Sequence, residues 1–135
     1  MSQAPMQTDS GRRALAFQDE ILPHVSRTFA LTIPELPEAL RVAVGNAYLL
    51  CRIADTIEDD AELDFQSKAR WHAEFVQVVE TGESGAAFGE RLAPALAGAT
   101  LEAERRLVAH TDDVLTVLRG LREPQQAAVA RCVRV

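Results

Sequence analysis

The stretch YLLCRIADTIEDD, Tyr48 to Asp60, is apolar for most of its length and then abruptly acidic. An α-helix advances by about 100° per residue, so Arg52, Asp55 and Asp59 fall within about 40° of Tyr48. Glu58 lies about one residue to the side. The remaining directions hold Val42, Ala43, Leu49, Leu50, Ile53, Ala54 and Ile57. A surface helix has a broad polar side and a narrower apolar one. Here the proportion is reversed. The pattern predicts a buried helix whose narrow stripe of Tyr48, Arg52, Asp55 and Asp59 faces an internal cavity.

Carboxylates in that position need a reason. Buried charges are costly unless paired or bound to metal, and acids near a helix C-terminus oppose its dipole at about 0.3–1 kcal/mol each. Arg52, one turn back, can pair with Asp55 but cannot balance three or four acids. Oxygen donors without His or Cys nearby favour Mg²⁺ over zinc. Mg²⁺ is commonly shared with phosphate, which makes a diphosphate the natural third party. The competing reading is that EDDAELD is a solvated turn between helices. A calcium loop starting at Asp60 is excluded, since its sixth position is Phe65 and its twelfth Trp71.

Composition agrees with an ordinary globular domain: 135 residues, 47% hydrophobic and 25% charged. The 14 Lys+Arg against 20 Asp+Glu leave a net charge of −6, which argues against nucleic acid as a partner. Cys51 and Cys132, far apart in apolar helical patterns, read as small core residues of a reducing compartment. His24, His72 and His110 show no zinc spacing. No signal peptide is legible, and the most apolar run, Val42 to Cys51, is about half a membrane span. The chain reads as cytoplasmic, with room left for peripheral membrane contact through parts outside these residues.

Residues 1–10 are polar and expected to be disordered, with one domain over 11–135. A first helix is expected from Arg12 to His24, stopped by Pro23. VSRTFALTIPELP, Val25 to Pro37, reads as an extended loop. The next helix should run from Pro37 to Asp59. Asp64 can cap another, with Phe65, Trp71, Phe75, Val78 and Val79 on or near its buried side. After the Gly-rich ETGESGAAFGE, a short helical piece is expected over Arg91 to Leu96. Thr100 should cap a long helix holding Leu101, Leu107, Val108, Val114, Leu115 and Leu118. Gly120 ends it, and Pro124 begins a further helix. With no competing strand signal, the fold class is all-α. The last segment, PQQAAVARCVRV, is still amphipathic at Val135, the pattern expected of a truncated domain.

In SRTF, Arg27 suits a bidentate grip on phosphate and Ser26 adds a hydroxyl donor, although a Ser-Arg pair alone is a weak signal. Together the two segments are specific. HVSRTFALTIPELPEALRVAVGNAYLLCRIADTIEDD, His24 to Asp60, resembles the N-terminal part of the squalene and phytoene synthases, which join two isoprenyl diphosphates head to head. The resemblance is sharp over 24–60 and loose over 61–135, and the Asp-Thr-x-Glu-Asp-Asp form is closer to the squalene synthases.

The resemblance implies the N-terminal portion of an all-helical isoprenoid-synthase bundle. It implies that Asp55, Glu58 and Asp59 hold Mg²⁺ against farnesyl diphosphate. Arg27 and Arg52 would contact diphosphate and, in reducing members, the phosphates of NADPH; Ser26, Phe29 and Tyr48 would line the substrate pocket. The implied reaction condenses two farnesyl diphosphates to presqualene diphosphate and, with NADPH, to squalene, the fragment by itself being inactive. Two alternatives stand beside it: a phytoene- or dehydrosqualene-type synthase without reduction, and a non-catalytic helical remnant binding prenyl diphosphate or a partner helix. The family's second Asp-rich helix has no counterpart here. Asp112 and Asp113 in HTDDVL point about 100° apart, and no catalytic residue is identifiable.

Overall fold

Glu38–Asp59 forms the longest helix, and the rest of the chain packs around it. The computed structural model describes residues 8–32 and 35–134, with the backbone alone at 27, 29, 30 and 134. These residues form eight α-helices and no strand: α1 Asp9–Val25, α2 Arg27–Thr32, α3 Glu38–Asp59, α4 Phe65–Thr81, α5 Gly85–Ala95, α6 Glu102–Ala109, α7 Thr111–Gly120 and α8 Glu123–Arg134. The all-α expectation holds.

The core is a single apolar cluster drawn from α1 and from α3 to α8, with Ile21, Leu49, Leu50, Ile53, Phe75, Phe88, Leu92, Leu107 and Val108 among its most buried members. Helix α3 presents Leu49, Leu50, Ile53 and Ile57 to it, as the apolar periodicity requires. A buried polar link adds specificity where α1, α3 and α7 meet. The Asn46 amide donates to Val114 O at 2.9 Å, and the Gln18 amide donates to Val42 O at 3.0 Å.

Several boundaries differ from the sequence reading. Helix α1 begins at Asp9, because Thr8 accepts from Gly11 N at 2.9 Å and caps it. It also continues through Pro23 to Val25, with Ser26 N bonding to Leu22 O at 2.9 Å. The extended loop over Val25 to Pro37 is corrected: α2 forms within it, and Thr32 returns its hydroxyl to Thr28 O at 3.1 Å. Residues 1–7 and 33–34 lie outside the described residues.

Asp64 caps α4 as expected, accepting from Ser67 N at 2.7 Å. Phe65, however, is exposed at 85%. It stands at the first position of α4, beyond the turns that face the core. The short piece at Arg91 is a full helix from Gly85, and Gly89 lets it approach the end of α6 closely, since an added Cβ would lie 2.6 Å from Val108 O.

The single long helix after Thr100 is two. The break falls at His110, whose ring stacks on Phe17 with centroids 4.5 Å apart and whose Nδ1 lies 2.9 Å from Arg106 O. Thr111 donates to Val108 O at 2.6 Å, diverting a carbonyl from the helix ladder. No helix among the described residues is long and apolar enough to cross a membrane.

Candidate functional site: a carboxylate-lined cleft at the end of α3

The acidic end of α3 forms one wall of an open cleft of about 220 Å³. Arg52, Asp55, Thr56 and Asp59 of α3 and its C-cap residue Asp60 line one side; Ala97, Ala99, Thr100, Leu101 and Glu104 line it from the α5–α6 connection and the first turn of α6. Arg52, Asp55 and Asp59 of the polar stripe therefore face a surface cleft, and Asp55 and Asp59 are exposed. This corrects the expectation of an internal cavity.

Arg52 does not pair with Asp55. Its Nη2 lies 2.5 Å from Glu104 Oε2, with the two side chains 32% and 17% exposed. Arg52 Nε is buried and has no hydrogen-bond partner. Sequence reasoning missed Glu104, because Glu102 and Glu104 in a first helical turn look like ordinary dipole partners. Nothing local signals a mate on α3.

Asp60 has a different task from its neighbours. It is buried, and its Oδ1 accepts from Glu62 N at 2.8 Å and Leu63 N at 2.9 Å, while Oδ2 accepts from Ala97 N at 2.7 Å. Burial pushes the Asp60 carboxyl up, but these three N–H donors outweigh it and hold the group below its ordinary value. Arg105 grips the same segment from the other side, donating to Ala93 O at 2.5 Å and Ala97 O at 2.7 Å. Asp60 and Arg105 together set the wall opposite Asp55 and Asp59.

The remaining expected site residues are dispersed. Glu58 faces a separate groove, with Ile57, Phe65, Lys68, Ala69 and His72. Tyr48 is half-buried and donates its hydroxyl to Val25 O at 3.1 Å, tying α3 to the end of α1. Ser26 is the C-cap residue of α1 and half-buried. Neither Tyr48 nor Ser26 lines the cleft. The side chains of Arg27 and Phe29 lie outside the described residues.

Whether these residues suit Mg²⁺ follows from the donor set. Among the described residues no three His, Cys, Asp or Glu side chains converge as a metal cage. Mg²⁺, however, typically takes one or two carboxylates and fills its octahedron with water and phosphate. Asp55 and Asp59, one turn apart on the same wall, fit that mode. Glu58 does not join them.

A model of the squalene/phytoene synthases matches residues 22–134. The chain belongs to the squalene/phytoene synthase family. Among curated relatives of this family member, a probable squalene synthase of Neurospora crassa is 33% identical over 99 residues, 73% of this chain and 19% of the relative. The squalene synthase of Schizosaccharomyces pombe is 30% identical over 115 residues, 85% of this chain and 23% of the relative. A protein named inactive squalene synthase 2 from Arabidopsis thaliana is 44% identical over 54 residues, 40% of this chain and 13% of the relative. The chain thus spans less than a quarter of the length of each of these relatives. No solved structure matches it.

Proposed function

We propose that this chain supplies one of the two diphosphate-binding walls of a head-to-head prenyltransferase that condenses two farnesyl diphosphates to presqualene diphosphate. The observation that carries the reading is the Asp55–Asp59 pair lining one cleft with Arg52, in a chain of this family. Asp55 and Asp59 would hold Mg²⁺, leaving its other positions to phosphate oxygens and water. The ion, when bound, offsets the charge that develops on a departing diphosphate.

Arg52 donates N–H groups toward the phosphate oxygens, where a guanidinium fork is well matched. Ala97, Ala99 and Leu101 give the cleft an apolar side against which the first carbons of a prenyl tail can rest. Asp60 and Arg105 keep that side in place. Among the described residues Arg52 is the only cation lining the cleft, and one guanidinium is too few for a diphosphate and the phosphates of NADPH together. The NADPH-dependent reduction to squalene is therefore proposed for the whole protein and assigned to other residues.

Calorimetric titration with farnesyl diphosphate tests the reading. The 135-residue chain is expected to bind it with Mg²⁺ and to show no turnover. Asp55→Asn with Asp59→Asn should weaken binding at least roughly tenfold, the loss of two charged ligands. Unchanged binding in that variant, or product formed by the chain alone, overturns the reading. In the whole protein, hydrocarbon formed equally well without NADPH would favour an unreduced, phytoene-type product.

One relative favours a second reading. Similarity to the inactive squalene synthase 2 of Arabidopsis thaliana is compatible with a binding protein without turnover. Binding of farnesyl diphosphate by a whole protein that forms no product would select it.

A further inference from the structure

Glu104 is the one charged cleft residue without a task in the proposed function. Its carboxylate reaches across the cleft from α6 to Arg52 on α3, at 2.5 Å. Among the described residues Arg52 is the only cation lining the cleft, so the pairing engages the positive charge that an incoming anion would seek there. The pairing also serves Arg52 incompletely, since its buried Nε has no partner. The guanidinium fork is thus only partly satisfied, and its Nη2 can exchange the Glu104 carboxylate for a phosphate oxygen.

The charge balance points the same way. With Arg52 engaged by Glu104, and Asp60 by three backbone N–H groups, Asp55 and Asp59 leave the cleft negative. A metal-free diphosphate meets repulsion there and, among the described residues, no available cation. A divalent ion held at Asp55 and Asp59 inverts the local sign. Phosphate oxygens can then take the place of the Glu104 carboxylate on the Arg52 fork.

We propose that Glu104 is a specificity-determining residue: by neutralising Arg52 across the cleft, it restricts binding to diphosphates that arrive with a divalent cation. The inference rests on the reading of the cleft as a diphosphate site and adds to it the source of metal dependence.

The test is calorimetric titration of the 135-residue chain with inorganic pyrophosphate, with and without Mg²⁺. Wild type is expected to bind with Mg²⁺ and far more weakly without it. Glu104→Gln should tighten metal-free binding roughly tenfold, the scale of one nearby like charge at a partly exposed site. Glu104→Asp keeps the charge and should keep the metal requirement. Adding Arg52→Gln to Glu104→Gln should abolish the gain.

Other results overturn the proposal. An unchanged metal dependence in Glu104→Gln, or weaker binding both with and without Mg²⁺, would make Glu104 a mere orienter of Arg52. If Glu104→Asp behaves as Glu104→Gln, charge is not the cause. Failure of folded wild type to bind pyrophosphate even with Mg²⁺ would instead sink the diphosphate reading itself, which separates the two failures.

Discussion

Asp60 and Ala97 lie 37 residues apart, and the Ala97 N–H donates to Asp60 Oδ2 at 2.7 Å. That bond ties the end of α3 to the connection that forms the facing cleft wall. The last acid of the Glu-Asp-Asp run is thereby a structural residue, while Asp59 beside it opens onto the cleft.

Asp60→Asn should destabilise the fold, because the Asn NH₂ group cannot accept from Ala97 N. The expected loss is about 1–3 kcal/mol at pH 7, the cost of an unpaired buried polar group, read from urea melts. The Asp60 carboxyl is held below its ordinary value. Its contribution is therefore full above the unfolded value of about 3.9 and is lost as pH falls through the lower folded value. Wild type should lose more stability than Asp60→Asn in that acid range. Equal slopes would show that the carboxylate is not the anchor.

Asp55→Asn and Asp59→Asn should have the opposite effect on stability. Both groups sit exposed in the last two turns of α3, where negative charge opposes the helix dipole. Each change should leave the stability unchanged or raise it by about 0.3–1 kcal/mol at low salt, read as an unchanged or higher melting temperature. Loss of Mg²⁺-pyrophosphate binding without loss of fold is the expected signature. A cooperative destabilisation would make these acids structural.

Gly89→Ala should be among the costliest single-methyl changes. Its Cβ would meet Val108 O at 2.6 Å and Ala109 O at 3.0 Å, backbone atoms at the end of α6 that cannot step aside alone. A loss of about 1–3 kcal/mol is expected from overpacking, despite alanine's better helix propensity. Thermal melts showing a gain would mean that α5 and α6 separate more easily than their contact indicates.

Asp113→Asn should stabilise the fold modestly at neutral pH. Burial pushes the Asp113 carboxyl up, and adjacent Asp112 pushes it further. A raised folded value means that its favourable contribution is present below the unfolded value of about 3.9 and is lost as pH rises through the folded one. The variant should therefore gain over wild type at pH 7 and match it near pH 3. A gain that is the same at both would assign the effect to something other than ionisation.

Much of this was legible in the residues. The apolar period of α3, the Asp64 cap, the stop at Gly120 and the placement of Arg52, Asp55 and Asp59 on one stripe all follow from chain-local geometry, which repeats every few residues whatever the rest of the protein does. The family signature over 24–60 was readable for the same reason. Local signals misjudged Phe65 and the split at His110, because each depends on what other segments cover or stack against.

The sequence by itself determined the all-helical class, the buried side of α3 and the alignment of Asp55 with Asp59 one turn apart. Tertiary structure alone decided what each charge does. Glu104 takes Arg52, Asp60 reaches the Ala97 amide, and Glu58 faces another groove. The physical reason is range: helix periodicity sets which face a side chain occupies, but partners across 37 or more residues are set by how the helices pack. Only that packing distinguishes an acid free to grip a cation from one already engaged by backbone.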